Sequence, residues 1–181
     1  MEAINLVRIG KYLSKHLRHE PERLGLQLEP GGWVSVDALL AACAADRFPI
    51  TRDELYEVVR NNDKQRFSFD PSHTRIRASQ GHSTKVDLQF EPATPPAILY
   101  HGTPSGNVEV ILREGLRKMS RHHVHLSATV ATAEVVGKRR GRPVVLVVDA
   151  EAMRRDGFVF YCSANGVWLT DHVPPKYLRL R

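Results

Sequence analysis

Residues 66–78, Arg66-Phe67-Ser68-Phe69-Asp70-Pro71-Ser72-His73-Thr74-Arg75-Ile76-Arg77-Ala78, decide the fold of the first half of this chain. Arg66–Phe69 and Thr74–Ala78 alternate as strands do, and Asp70-Pro71-Ser72-His73 between them is turn chemistry, so the stretch predicts a β-hairpin. Upstream of it the period changes from two to 3.6. Ile4, Val7, Leu13 and Leu17, with Leu6, Ile9 and Tyr12 alongside, predict a helix through 3–19, which Pro21 stops. Pro30-Gly31-Gly32 reads as a turn before the apolar stretch Trp33–Val36 and a helix over Asp37–Ala45. Thr51-Arg52-Asp53-Glu54 is a capping box that opens a third helix carrying Leu55, Val58 and Val59. Three helices followed by a hairpin form the winged-helix pattern, a scaffold used for nucleic acids and for protein contacts alike.

Working outward, residues 79–96 lose helical periodicity, with a short strand possible near Val86–Phe90. A different pattern then begins. Strands are expected at Ile98–His101, Val124–Ser127, Val144–Val148, Phe158–Cys162 and Val167–Thr170, with helices at Asn107–Glu114 and Ala128–Val136. The fold class is therefore α+β: an N-terminal winged-helix lobe over 1–80, a connector over 81–96, and a second lobe over 97–181 with a bent, mainly antiparallel sheet.

Composition narrows the function. The 181 residues carry a formal net charge of +6, and apolar and charged fractions of 42% and 25% are those of a soluble globular protein. The basic excess is uneven: 13 Lys+Arg face 12 Asp+Glu in residues 1–90, against 13 and 8 in 91–181. Such a chain suits a polyanionic partner, because neutralised phosphates release counterions. The two cysteines, Cys43 and Cys162, form no CxxC pair, and Cys43 lies in a helical run as a small buried residue. No signal-peptide block or membrane-length run is visible, so a cytoplasmic protein is expected, a monomer by default and with no membrane partner.

Four segments concentrate arginine, lysine and histidine: Lys15–His19, Lys64-Gln65-Arg66, Arg121–His125 and Gly137–Arg142. Arginine grips phosphate oxygens with a planar fork, and histidine adds a donor whose charge switches near neutral pH. The alternative for Arg18 and His19 is electrostatic, since cations are favoured at a helix C-terminus. Gly137–Arg142 reads equally as a solvated turn. His123 and His125 would share one face of a strand, as metal ligands can, but the sequence supplies no matching third ligand, and no metal is expected. No GxxxxGK[ST], strand-linked GxGxxG or GxSxG occurs, which argues against a P-loop NTPase, a Rossmann dehydrogenase and an α/β-hydrolase. Tyr100-His101-Gly102-Thr103, at a strand end, offers a histidine for a ribose hydroxyl and a glycine for close backbone approach.

Five ordered motifs together resemble the NAD-dependent RNA 2′-phosphotransferase family, also called tRNA 2′-phosphotransferase or KptA. They are Leu13–His19, Asn61–Phe67, Leu99–Thr103, Arg121–Ser127 and Asn165–Thr170, so the resemblance runs nearly end to end. It implies that the second lobe is ADP-ribosyltransferase-like and binds NAD without a Rossmann fingerprint. It also implies a two-step reaction. An internal RNA 2′-phosphate attacks the nicotinamide ribose C1″, giving an ADP-ribosylated RNA 2′-phosphate. The 2″-hydroxyl then attacks phosphorus, leaving 2′-OH RNA and ADP-ribose 1″,2″-cyclic phosphate. NAD is consumed as co-substrate, and a ligated tRNA splice junction is the RNA the family suggests.

By the same resemblance, Arg18, His19, Arg66 and Arg121 are the catalytic set, and Lys64 joins Arg18, His19 and Arg66 in holding RNA phosphate. His101, Gly102, Thr103, His125, Leu126 and Ser127 would line the NAD pocket, with Gly102 presenting its backbone to the nicotinamide amide. Arg139 and Arg140 are further candidates for phosphate contacts. Other ADP-ribosyltransferases often carry a glutamate where Val167 stands here, and a carboxylate there would repel a phosphate dianion. Two alternatives stay open: ADP-ribosylation of RNA or DNA terminal phosphates without the second step, and a non-catalytic winged-helix module that binds nucleic acid.

Overall fold

In the computed structural model, which describes residues 3–62, 64–138 and 141–181, the chain divides into two units, Met1–Gln89 and Phe90–Arg181. In the first, helix α1 (Ala3–Arg18) turns Ile9, Leu13 and Leu17, one i, i+4 row, wholly inward. Each such leucine contributes roughly 1.5–3 kcal/mol by leaving water. A single 3₁₀ turn, Pro21–Leu24, ends on Gly25 in the left-handed region at φ 64°. Strand β1 (Val34–Ser35) leads directly into α2 (Val36–Ala45), which the Ser35 hydroxyl caps by accepting from the Ala38 amide. Helix α3 (Arg52–Arg60) opens on the expected capping box: the Thr51 side chain accepts from the Glu54 amide while the Glu54 carboxylate accepts from the Thr51 amide.

The hairpin forms as β2 (Phe67–Phe69) and β3 (Arg75–Ala78), and β1 joins its far side in the order β1-β3-β2, all antiparallel. Asp70 fixes the turn, its carboxylate accepting from the Thr74 and Arg75 amides at 3.0 and 2.9 Å. Those amides, the Arg75 amide first, hold the Asp70 carboxyl below its usual pKa. Leu39, Cys43, Leu55, Val58, Phe67 and Ile76 close one core with the α1 row, and Cys43 is the buried apolar residue expected.

In the second unit the elements run β4 (Ile98–Pro104), α4 (Val108–Glu114), β5 (Leu116–Arg117), β6 (Val124–Leu126), α5 (Val130–Gly137) and β7 (Pro143–Asp149). They continue through α6 (Ala150–Arg155), β8 (Phe160–Cys162), β9 (Trp168–Thr170), β10 (His172–Val173) and β11 (Leu178–Leu180). Every strand pair is antiparallel. The strands form two three-stranded sheets, ordered β11-β7-β4 and β6-β9-β8, beside a two-stranded pair of β10 and β5. One antiparallel bridge, Tyr100 to Ser127, ties the two larger sheets together. Leu99, Leu126, Leu146, Val148, Met153 and Phe160 are buried in their common core.

Two details depart from the expectation. Val86–Phe90 contains no strand; the nearest pairing is an isolated bridge from Pro92 to Tyr161. Short α6, β5, β10 and β11 were not foreseen. Within 81–96, His82 and Leu88 are buried, the Gly31 amide donates to the Asp87 carbonyl, and the Ala93 amide donates to the Phe160 carbonyl. Among the described residues no helix is long and apolar enough to cross a membrane.

Candidate active site

The N-terminal candidates stand at element boundaries, the end of α1 and the start of β2. Arg18 is the last residue of α1, and His19 follows it with its amide still bonded to the Lys15 carbonyl at 3.1 Å. The Arg18 carbonyl, one of the acceptors that a helix end leaves open, takes the Ser83 and Thr84 amides at 2.9 and 3.3 Å. The Ser83 hydroxyl lies 2.8 Å from His19 Nδ1.

Arg66 enters β2 from a tight turn. The Lys64 amide donates to Asn62 Oδ1 and the Gln65 amide to the Asn62 carbonyl, with Gln65 in the left-handed region at φ 41°. Buried Ser79 then fastens this turn from behind, its amide donating to the Arg66 carbonyl at 2.8 Å and its hydroxyl to the Gln65 carbonyl at 3.1 Å. Ser79 and Ser83 are thus the supports of Arg18, His19 and Arg66. Sequence reasoning missed both, because the Ser-Gln-Gly-His-Ser run has no periodicity and its partners are distant in sequence.

The C-terminal candidates converge through a short chain of hydrogen bonds. Reciprocal amide–carbonyl bonds of 2.9 and 2.8 Å between Tyr100 and Ser127 place the His101-Gly102-Thr103 end of β4 beside the end of β6. The His101 Nδ1–H donates to the His125 carbonyl at 3.1 Å. That bond fixes the tautomer and leaves His101 Nε2 as an acceptor when the ring is neutral. Burial pushes the His101 pKa below the ordinary histidine value, outweighing the carbonyl's opposite pull, so the neutral ring is the form at neutral pH. Arg121 in turn donates from Nη1 to His125 Nδ1 at 3.2 Å. A guanidinium carries no acceptor, so His125 accepts at Nδ1 and carries its proton on Nε2.

The remaining pocket candidates are placed differently. Leu126 and Thr103 are buried, so Leu126 has only backbone to offer a ligand. Gly102 has a packing reason for its identity: a Cβ there would lie 1.7 Å from the Ala133 carbonyl oxygen of α5. Gly137 answers it from the helix, where a Cβ would sit 3.1 Å from the Thr103 nitrogen. Val167 closes the loop before β9, its amide donating to the Ser163 hydroxyl at 3.1 Å and its carbonyl accepting the Ser163 amide at 2.9 Å.

His123 does not pair with His125 on one strand face. It precedes β6 and packs between Phe90 and Tyr161, with ring centroids 6.0 and 5.3 Å away. Among the described residues no group of three or more His, Cys, Asp or Glu is placed to hold a metal ion. Arg139 and Arg140, the further phosphate candidates, lie outside the described residues, as does Asp63 of the Asn61–Phe67 motif.

In the N-terminal unit arginines stand at element ends, and in the C-terminal unit one histidine is aimed as an acceptor and another is oriented by a guanidinium, a class of side chain suited to binding phosphate and hydroxyl groups. Comparison with known proteins gives the chain a family. The model of the RNA 2′-phosphotransferase, Tpt1 / KptA family matches residues 5–172, and the chain belongs to this family. It is 63% identical over 180 residues to a probable RNA 2′-phosphotransferase of Trichormus variabilis, covering 99% of each chain. It is 59% identical to one of Nostoc punctiforme, again over 99% of each chain. It is 62% identical to one of Streptomyces coelicolor, over 99% of this chain and 97% of that relative.

Proposed function

We propose that this enzyme removes an internal 2′-phosphate from RNA by transferring it to NAD, yielding 2′-OH RNA, nicotinamide and ADP-ribose 1″,2″-cyclic phosphate. The observation that carries the reading is the bond chain Arg121–His125–His101 within a chain that matches the family almost end to end. In this reading the N-terminal unit is a winged helix that presents RNA, 81–96 is the connector, and the C-terminal unit is ADP-ribosyltransferase-like. His101 Nε2 accepts from a ribose hydroxyl of NAD, which is a substrate here. Ser127 and the backbone of Gly102, Thr103 and Leu126 complete its binding surface.

In the first step a phosphate oxygen bonds to the ribose C1″. The glycosidic C–N bond breaks, and its electron pair leaves with nicotinamide, neutralising the pyridinium charge. In the second, phosphorus is attacked by the 2″-oxygen, which loses its proton as the RNA 2′-oxygen departs and gains one. The protein supplies orientation and charge to both steps. Arg18, Arg66 and Lys64 hold the phosphate oxygens, and Arg121 stabilises the crowded phosphorus. His19 donates to a phosphate oxygen or to the departing 2′-oxygen.

The test is incubation with NAD and an RNA carrying one internal 2′-phosphate, with products identified by mass. Plain 2′-OH RNA with the cyclic phosphate supports the reading. A stable ADP-ribosylated RNA replaces it with the partial reaction, and untouched substrates favour a binding module.

A further inference from the structure

We propose that Ser83 is the positioning residue of His19: its hydroxyl holds the imidazole so that Nε2–H points toward the RNA phosphate throughout the reaction. The inference rests on the reading of His19 as part of the phosphate-handling set. Its observation is the 2.8 Å contact between Ser83 Oγ and His19 Nδ1. His19 is exposed, beyond the last turn of α1. Ser83 is itself anchored, because its amide donates to the Arg18 carbonyl at 2.9 Å. The same residue therefore closes the helix end that carries Arg18 and holds the side chain that follows it.

A hydroxyl is suited to this task in a way a carboxylate is not. It is donor and acceptor at once. Toward a neutral ring Ser83 donates to Nδ1, which leaves the proton on Nε2. Toward a charged ring it accepts from Nδ1–H, and Nε2 again carries a proton. The ring can give up or regain a proton without turning over, and Nε2–H remains the atom presented to phosphate. A fixed carboxylate would hold the proton on Nδ1 and leave neutral Nε2 as an acceptor facing an anion.

The test uses the full chain and reads the ring directly. Two-bond ¹H–¹⁵N correlations of the histidine side chains report tautomers, and the His19 signals are assigned by their loss in His19→Asn. At a pH where the ring is neutral, wild type should show His19 as the Nε2–H tautomer. Ser83→Ala should give a tautomer mixture, and Ser83→Thr should restore the single form. Ser83→Cys, close to serine in shape with a weak thiol donor, should behave as the alanine variant does and guards against a packing effect.

The backbone bonds to the Arg18 carbonyl survive these changes, so melting temperatures should stay close. In turnover, Ser83→Ala should lose roughly tenfold in kcat with the KM for NAD unchanged, as expected of a displaced catalytic group, and Ser83→Thr should recover most of it. An unchanged tautomer, or unchanged kcat, in Ser83→Ala overturns the proposal. Failure of wild type to act on 2′-phosphorylated RNA would sink the proposed function instead, and the tautomer comparison would still judge Ser83.

Discussion

Arg121 donates its guanidinium hydrogen bond to His125 Nδ1 at 3.2 Å, joining the one candidate catalytic residue of the C-terminal unit to its candidate NAD-binding surface. Arg121 is exposed, and the contact fixes the His125 tautomer. In the proposed reaction this exposed guanidinium would supply charge to the transition state without burying an ion in the resting protein.

Arg121→Ala and Arg66→Ala should each reduce turnover by about 10²–10³-fold, the usual cost of losing one charge-stabilising contact. Neither side chain is in a core, so thermal melting should change little. Arg121→Lys should recover only part of the loss, because an ammonium lacks the planar fork. Single-turnover rates beside melting curves check this, and near-normal turnover in either alanine variant removes that arginine from the catalytic set.

Acid should weaken this protein through His101. Its folded pKa lies below the ordinary histidine value, so between the two the unfolded chain binds the extra proton. Stability therefore rises with pH through that window and is lost as pH falls below about 6.5. His123, whose pKa burial also lowers, adds an effect of the same sign. His101→Asn keeps a donor for the His125 carbonyl but cannot titrate. Its melting temperature should fall less between pH 7 and pH 5 than that of wild type.

Gly102→Ala should destabilise the C-terminal unit by on the order of 1–3 kcal/mol or more, because strand or helix must move to relieve a backbone clash. The new Cβ would stand 1.7 Å from the Ala133 carbonyl oxygen. Gly137→Ala, whose Cβ would meet its neighbours at 3.1 Å, should be milder. Denaturant melts of the two variants order them, and the reverse order would contradict the packing described.

Chelation should leave turnover unchanged, since arginines and hydrogen-bonded histidines carry the proposed chemistry. Among the described residues none cluster as a metal site. Activity before and after exhaustive chelator treatment measures it, and restoration by a divalent ion alone would reopen the histidine-rich segment as a ligand set.

What could be read in advance was what short-range chemistry dictates. The Thr51–Glu54 capping box and the 66–78 hairpin depend on residues within a few positions, and both formed as expected. The α1 helix formed too, but Val7, expected on its apolar stripe, is exposed, and the buried row is Ile9, Leu13 and Leu17. Strands β5, β10 and β11 have two or three residues each and exist because partners far along the chain pair with them, as Leu116 does with Val173. No local pattern marks such elements. The short strand expected near Val86–Phe90 did not form: its Asp87 carbonyl accepts the Gly31 amide and its Asp87 side chain the Gln89 amide, with no partner strand alongside.

The site divides along the same line. Resemblance supplied His101, His125 and Arg121, and the structure joins them by bonds spanning 24 and 4 residues. Ser83 reaches His19 across 64 residues and is invisible without the fold. Gly102 was assigned to a ligand from sequence, whereas its missing Cβ first accommodates α5. His123 and His125, which would share a face only if both lay on one strand, part company because His123 precedes β6 and packs against Phe90 and Tyr161.

The most direct test of the account is the product spectrum after mixing purified protein, NAD and an RNA with a single internal 2′-phosphate. The account predicts RNA lighter by one phosphate, free nicotinamide and ADP-ribose 1″,2″-cyclic phosphate in equal amounts. RNA and NAD recovered unchanged would contradict it.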